Sequence, residues 1–350
     1  MYKKLQIIIA FFTIAISLFS QAGYGVYQFL ELPVSSRMAA IGGVNISLRD
    51  DDLNFGFMNP ALLTENTNNV IGVNAANYLA DIKFGTAVYG RTFGEKNYLA
   101  VGVQYIDYGI FKGVNELNDP NSFEDFFAKD FALNIIYARP LTKHLSIGGT
   151  FKPVYSVYER YSSFGVAMDA GLNYDNSEGL FSAGLVFRNI GRQLKGYYSE
   201  EGEQHIEPLA FNVMLGATQK LRHAPLRFSF TFHNLQKWDL SYQSTNQPTQ
   251  SLITNENPKD DKIDFFDMFF RHTIIGVEFI PGKNFYLAAG YHHRRHQEMA
   301  MNGFKSMAGF SFGGGIKLYK FQVGFGMTQF QVGNYSYQFS ISTSLNEFRL

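Results

Sequence analysis

A two-residue alternation returns along most of this chain and constrains its fold more than any other feature. Residues 164–174 read FGVAMDAGLNY. One list is Phe164, Val166, Met168, Ala170, Leu172, Tyr174; the other is Gly165, Ala167, Asp169, Gly171, Asn173. A period of two belongs to a strand, here with one bulky apolar face and one small polar face. The same split recurs at residues 99–105, 131–137, 181–187, 209–215, 226–232, 321–327 and 335–341. A soluble sandwich also alternates, but its wet face usually carries Lys, Glu, Arg and Thr. Gly, Ala, Ser, Asn and Gln dominate the second face here. Small polar side chains suit the watery inside of a closed barrel, while bulky apolar ones meet lipid. The expected fold is all-β: a transmembrane antiparallel up-and-down barrel. Phe164, Val166, Met168, Leu172, Phe321, Val323 and Phe325 should then face outward, and Asp169, Asn173, Gln322 and Thr328 inward.

About fourteen strands follow Asn68, each long enough to cross a bilayer at a tilt. Tight connections at residues 94–97, 139–143, 176–179, 222–225 and 281–284 alternate with long ones at 112–128, 190–205, 237–267 and 293–305. Residues 79–82 and 333–334 are short exceptions on the long side. Such parity is that of a barrel with short periplasmic turns and longer outer loops. Trp238, Phe265, Phe266, Phe269, Phe270, Tyr155, Tyr158, Tyr161 and Tyr319 lie near strand ends, where aromatic girdles form.

Composition agrees. The 350 residues include 35 Phe and 21 Tyr, and 30 basic residues balance 30 acidic ones. That balance excludes a nucleic-acid footprint, which needs a basic excess. A mean hydropathy of -0.11 is too low for a bundle of membrane helices but compatible with a barrel. No cysteine is present, which removes disulfides, thiol catalysis, cysteine-bound metal and lipidation at an N-terminal cysteine. Lys3 and Lys4 precede an apolar run over residues 5–19, and Ser20 and Ala22 supply small residues for a cleavage site. Residues 1–22 therefore read as a secretory signal peptide, 23–66 as a plug and 67–350 as the barrel.

The plug segment does not alternate. It carries LPVSSRMAAIGG at 32–43, with Arg37, Gly42 and Gly43, then Asp50, Asp51, Asp52, then Asn59, Pro60, Ala61. A short helix after Pro33 should stop at Gly42 and Gly43. Three adjacent acids suggest a solvated turn or a cation site, though calcium-loop spacing is missing. FLELPVSSRMAAIGG followed by DDD and MNPALL resembles the opening of the PorV/PorQ family of outer-membrane proteins, relatives of the FadL-type barrels. The resemblance spans nearly the whole mature chain. The length, the segment GLVFRNIG at 184–191 and the missing anchor cysteine resemble the PorQ-like members more than the PorV-like ones. It implies a fourteen-stranded barrel with the N-terminal segment in its lumen. It further implies a non-enzymatic part in the type IX secretion system of Bacteroidota, holding a PorZ-like surface protein within an attachment complex that includes PorU and PorV. The alternatives are a FadL-like transporter of hydrophobic compounds and a PorV-like shuttle for secreted cargo. An apolar lumen cavity lined by non-glycine residues would favour the transporter, and a plug packed without one the anchor.

Candidate chemistry is sparse. His292, His293 and His296 sit in the cationic stretch YHHRRH, where strand neighbours would point to opposite faces and spoil a metal site. Arg294 and Arg295, near the outer leaflet, suit lipopolysaccharide phosphates. Ser163, Ser229 and His233 show no spacing that singles out a hydrolase. No cofactor, metal or nucleic-acid partner is expected. The polar stretch from Leu240 to Asp267 is the longest loop, and residues 245–257 within it are the first choice for contact with a protein partner.

Overall fold

The computed structural model describes residues 25–50, 52–78, 82–113, 125–176, 178–198, 204–240, 264–282, 284–299, 307–331 and 334–348. The signal-peptide expectation, Asp51 and the loop residues 245–257 lie outside them. Fourteen strands close into one antiparallel barrel: β1 Val70–Asn77, β2 Lys83–Phe93, β3 Asn97–Phe111, β4 Phe126–Pro140, β5 Leu145–Tyr158, β6 Tyr161–Asp175, β7 Phe181–Lys195, β10 Asn212–Lys220, β11 Leu226–Phe232, β12 Thr273–Phe279, β13 Phe285–His292, β14 Phe310–Leu318, β15 Phe321–Gln331 and β16 Asn334–Ser344. A two-stranded hairpin, β8 Tyr197–Tyr198 and β9 Gln204–His205, stands in the connection between β7 and β10. Closure runs through β1 and β16, with Val70 opposite Ser344. Every barrel strand thus has two partners, which removes the open edges that lipid could not solvate.

The faces fall as the alternation requires. Met168 is 51% exposed, and Phe164, Leu172, Phe321, Val323 and Phe325 are exposed beside it, whereas Asp169, Asn173 and Thr328 are buried. Val166 and Gln322 are half-buried on their expected faces. A one-residue slip would turn Asp169 outward and Met168 inward along all of β6. An outer surface this apolar, all round a closed barrel, is one for lipid rather than water. Among the described residues, no helix is long and apolar enough to cross a membrane.

Three connections depart from expectation. Glu159 and Arg160 alone join β5 to β6 on the long-connection side, whereas Tyr319 and Lys320, which join β14 to β15, keep to the tight side as the parity requires. The expected loop to Asp267 is partly helix, since Phe265–Arg271 forms α2. Likewise β13 stops at His292, and His293–Met299 forms α3. Tyr158 leaves the expected girdle, because its hydroxyl donates to buried Asp130 at 3.1 Å.

The lumen is packed rather than watery, which corrects the reading of the small inner face. Residues 25–50 and 52–68 run inside the wall as a chain of short turns. Val26 bridges to Leu209, a 3-10 turn spans Gln28–Glu31, and α1 spans Ser36–Ala40 with Ser35 as its N-cap. Further 3-10 turns span Leu53–Phe57, Pro60–Leu62 and Glu65–Thr67 before β1. Val34, Met38, Ile41, Ile46, Phe55, Phe57 and Met58 are buried against inner-wall residues that include Ala100, Ile136, Val154, Val186 and Met214. The hydrophobic core of the protein is this interface between plug and wall. Each such side chain contributes about 1.5–3 kcal/mol when fully buried.

Candidate binding site

The plug touches the wall where the inner face is glycine. The Asn59 side chain donates to the Ile46 carbonyl at 2.7 Å and to the Leu172 carbonyl at 3.2 Å, and its oxygen accepts from Ala61 N at 3.0 Å. Pro60 opens the 3-10 turn, where its missing N–H costs nothing. A Cβ on Gly148 would stand 2.6 Å from the Pro60 backbone, and one on Gly171 or Gly184 would strike Asn59 or Ile46. Asn59, Pro60 and Ala61 therefore lie against β5, β6 and β7. Across the barrel, Gly42 and Gly43 end α1 with φ of 103° and 100°, and Gly42 N fills the space a Cβ on Gly290 would need. Glycines of the inner face such as Gly148, Gly165, Gly171 and Gly184 are thus contact points for the plug, meeting its backbone at some positions and its side chains at others. Gly184→Val should cost about 1–3 kcal/mol by overpacking and lower the temperature at which the folded band is lost in heat-modifiability gels. An unchanged transition would mean that the plug does not seat there.

A buried ion cluster fixes the plug to β11 and β12. Arg37 Nε donates to Glu278 Oε1 at 2.8 Å, and Arg37 Nη2 pairs with Asp50 at 2.8 Å. Arg227 Nε donates to Glu278 Oε2 at 2.7 Å and its Nη2 reaches Asp50 at 3.3 Å. The Arg37 guanidinium also lies 4.9 Å from the Tyr286 ring centroid. Asp52 accepts from Asn54 N at 3.0 Å and caps the turn that follows. Asp50 and Asp52 are therefore counter-ions and caps. Among the described residues no group of acids and histidines could hold a metal ion.

At the long-loop end of the barrel, the outer mouth by the rule of loop lengths, the packing opens into a cavity of about 440 Å³. Phe29, Leu32, Pro33 and Val44 of the plug contribute its floor, and the wall includes Ile106, Tyr108, Phe211, Met214, Ile274 and Phe330. Tyr78 and Phe330 meet edge to face, 4.6 Å between centroids. The polar lining includes Glu31, Asn212, His233, Asn234, His292, Arg294, Arg295 and Glu298.

Most of these charges are already matched. Glu31 accepts from Asn189 at 2.7 Å and from Asn212 at 3.2 Å and lies 3.3 Å from Arg188. Arg294 Nε donates to Glu298 at 2.6 Å, one turn along α3. His233, just beyond β11, is pushed down to about 3 by burial and by Arg294, so it is neutral. Arg295 is different. Its guanidinium lies 4.3 Å from the Phe330 centroid, and none of its side-chain N–H groups donates to any described residue. Nη1 is fully buried without a partner, and burial draws the group down to about 10. A buried guanidinium N–H without an acceptor among the described residues is rare, and it sets Arg295 apart from the matched charges around it.

The structure places Arg294 and Arg295, expected at lipopolysaccharide, on α3, which turns inward after β13. Both line the cavity and are half-buried, Arg294 paired with Glu298 and Arg295 stacked on Phe330. His293 pairs with Asp267 at 2.8 Å rather than joining His292 and His296 in a ligand set. Ser163 accepts from Gln193 at 2.6 Å and Ser229 donates to the Gly276 carbonyl, while His233 contacts Asn234. These three do not converge. The cavity itself was not visible in the sequence, since its lining comes from the plug, seven strand ends and α3; only YHHRRH marked part of it.

No protein-family model matches the chain, and none of the curated proteins does. Among solved structures, the Pseudomonas putida toluene transporter TodX is similar at 11% identity and a TM-score of 0.52, over 89% of this chain and 96% of that one. A deltaS2 mutant of the TodX monoaromatic hydrocarbon channel gives 12% and 0.54, over 89% and 97%. A FadL homologue of Pseudomonas aeruginosa gives 9% and 0.50, over 92% and 100%. At such identities the likeness is one of fold: the chain has the closed-barrel fold of the FadL-type outer-membrane channels.

Proposed function

We propose that this protein is an outer-membrane barrel that captures a small hydrophobic molecule bearing one acidic head, as the first step of a FadL-like uptake. The observation that carries this is Arg295, whose Nη1 has no hydrogen-bond partner among the described residues although it lines a cavity walled largely by apolar side chains. An apolar body would lie among Phe29, Tyr78, Tyr108, Phe211 and Phe330, and its carboxylate would accept from Arg295. Binding cavities are commonly apolar with a few placed polar groups that fix orientation. Native mass spectrometry of protein gently extracted from outer membranes tests the reading. An acidic amphiphile should accompany the intact protein in one-to-one ratio and be absent from Met214→Trp, which fills the cavity. Equal occupancy in both proteins would contradict it.

A second reading, the non-catalytic surface-protein anchor implied by the PorV/PorQ resemblance, is favoured by the plug, which is ion-paired to the wall rather than loosely seated. It predicts that a PorZ-like partner is retained in the same extracts. Deleting residues 245–257 should then lower that retention at equal barrel abundance, whereas Met214→Trp should leave it unchanged.

A further inference from the structure

α2 reads FFDMFFR and is amphipathic in an unusual sense: only Met268 is buried, while Phe266 is 68% exposed and Phe265, Phe269 and Phe270 are also exposed. Its polar residues are used internally. Arg271 pairs with Asp267 at 2.8 Å, and Asp267 pairs with His293 of α3 at 2.8 Å. The phenylalanines continue the lipid-facing columns of the barrel. Phe269 lies 5.5 Å from Phe232, the last outward residue of β11. Phe270 lies 5.8 Å from His293, which is 5.9 Å from Tyr291, itself 4.7 Å from Phe310. Tyr291 and Phe310 pair on the outward faces of β13 and β14. Trp238, half exposed, completes the patch 5.4 Å from Phe265.

We propose that α2 and Trp238 form a membrane-interface anchor that docks into the outer leaflet, at the boundary of headgroups and acyl chains. Continuity with the barrel's lipid belt selects lipid as the occupant. Water would face four phenylalanines and an indole, and a protein partner would have to sit where acyl chains already meet Phe232, Tyr291 and Phe310. Interfacial helices bury their apolar face about 5–10 Å into that boundary, and indole rings favour the same depth. The Asp267 pairs then hold α2 to α3, so one face of the anchor meets lipid while α3 meets the cavity.

The chain supplies its own probe, because Trp238 is its single tryptophan. The full-length protein is placed in phosphatidylcholine vesicles whose acyl chains carry bromine either near the glycerol end or near the methyl end. Bromine near the glycerol end should quench Trp238 by about half and clearly more than deep bromine, as an interfacial depth requires. A second protein, Trp238→Phe with Phe266→Trp, should show the same order. Emission untouched by either bromolipid but quenched by aqueous acrylamide, in both proteins, would overturn the proposal and leave the patch open to a protein. Stronger quenching by deep bromine would equally overturn it.

Discussion

Planar bilayers containing the intact protein should show no steady ionic current, and removal of residues 25–66 should open a wide, ohmic pore. The reason is geometric. Fourteen strands enclose a lumen wider than their own side chains fill, so something must occupy it or water will. Here the occupant is the plug, packed through Met38, Ile46, Phe55, Phe57 and Met58 and seated on wall glycines. Without it, Asn74, Gln104, Asn134, Thr150 and Asn173 remain on the inner wall, a polar surface that water wets readily. The wall would persist because its hydrogen bonds run between strands rather than to the plug. Should the deletion fail to insert, Gly290→Leu tests the same point, since its side chain collides with the backbone at Ile41 and Gly42 and should produce intermittent openings. A steady current through the intact protein would contradict a closed lumen.

The second large effect is expected at Arg37. Arg37→Met leaves the buried Glu278 and the half-buried Asp50 and Asp52 facing Arg227 alone, three carboxylates against one cation. Breaking a buried pair by removing one partner typically costs about 3–5 kcal/mol, because the remaining charge has lost its solvation and its counter-ion. The urea midpoint of the folded barrel should fall accordingly. Adding Glu278→Gln to Arg37→Met removes one orphaned charge and should recover part of the loss. An unchanged midpoint for Arg37→Met would show that the cluster does not fasten the plug.

Much of the architecture was legible because membrane strands are read by period two, and that signal survives in one sequence. Outward Phe164 and Met168 and inward Asp169 follow from residue spacing alone. The helix stop at Gly42 and Gly43 was legible for a local reason, the left-handed backbone that glycine permits. The dry lumen was not legible. Gly148, Gly171 and Gly184 look alike whether they face water or press against Asn59 and Pro60, and only tertiary placement separates the two. YHHRRH misled for a related reason. Its outward-inward pattern presumed a continuing strand, but the chain leaves β13 at His292 and coils across the mouth. The acidic run, too, found one of its arginines, Arg227, more than a hundred residues away on β11, while the other, Arg37 of the plug, is itself held by Glu278 on β12. Long-range pairing of that kind leaves no mark in local spacing.

The measurement that bears most directly on the account is a calorimetric cycle at Arg295. The intact protein and Arg295→Met are each titrated with a hydrophobic carboxylic acid and with the alcohol of the same carbon skeleton. A hydrogen bond to a charged group is worth about 1.5–3 kcal/mol, so the intact protein should prefer the acid by roughly 10- to 100-fold. In Arg295→Met that preference should vanish while affinity for the alcohol stays within about two-fold, because the apolar walls are unchanged. Equal affinities for acid and alcohol in the intact protein, or an acid preference that survives the loss of Arg295, would contradict the reading of the outer cavity as a site for an acidic hydrophobic ligand.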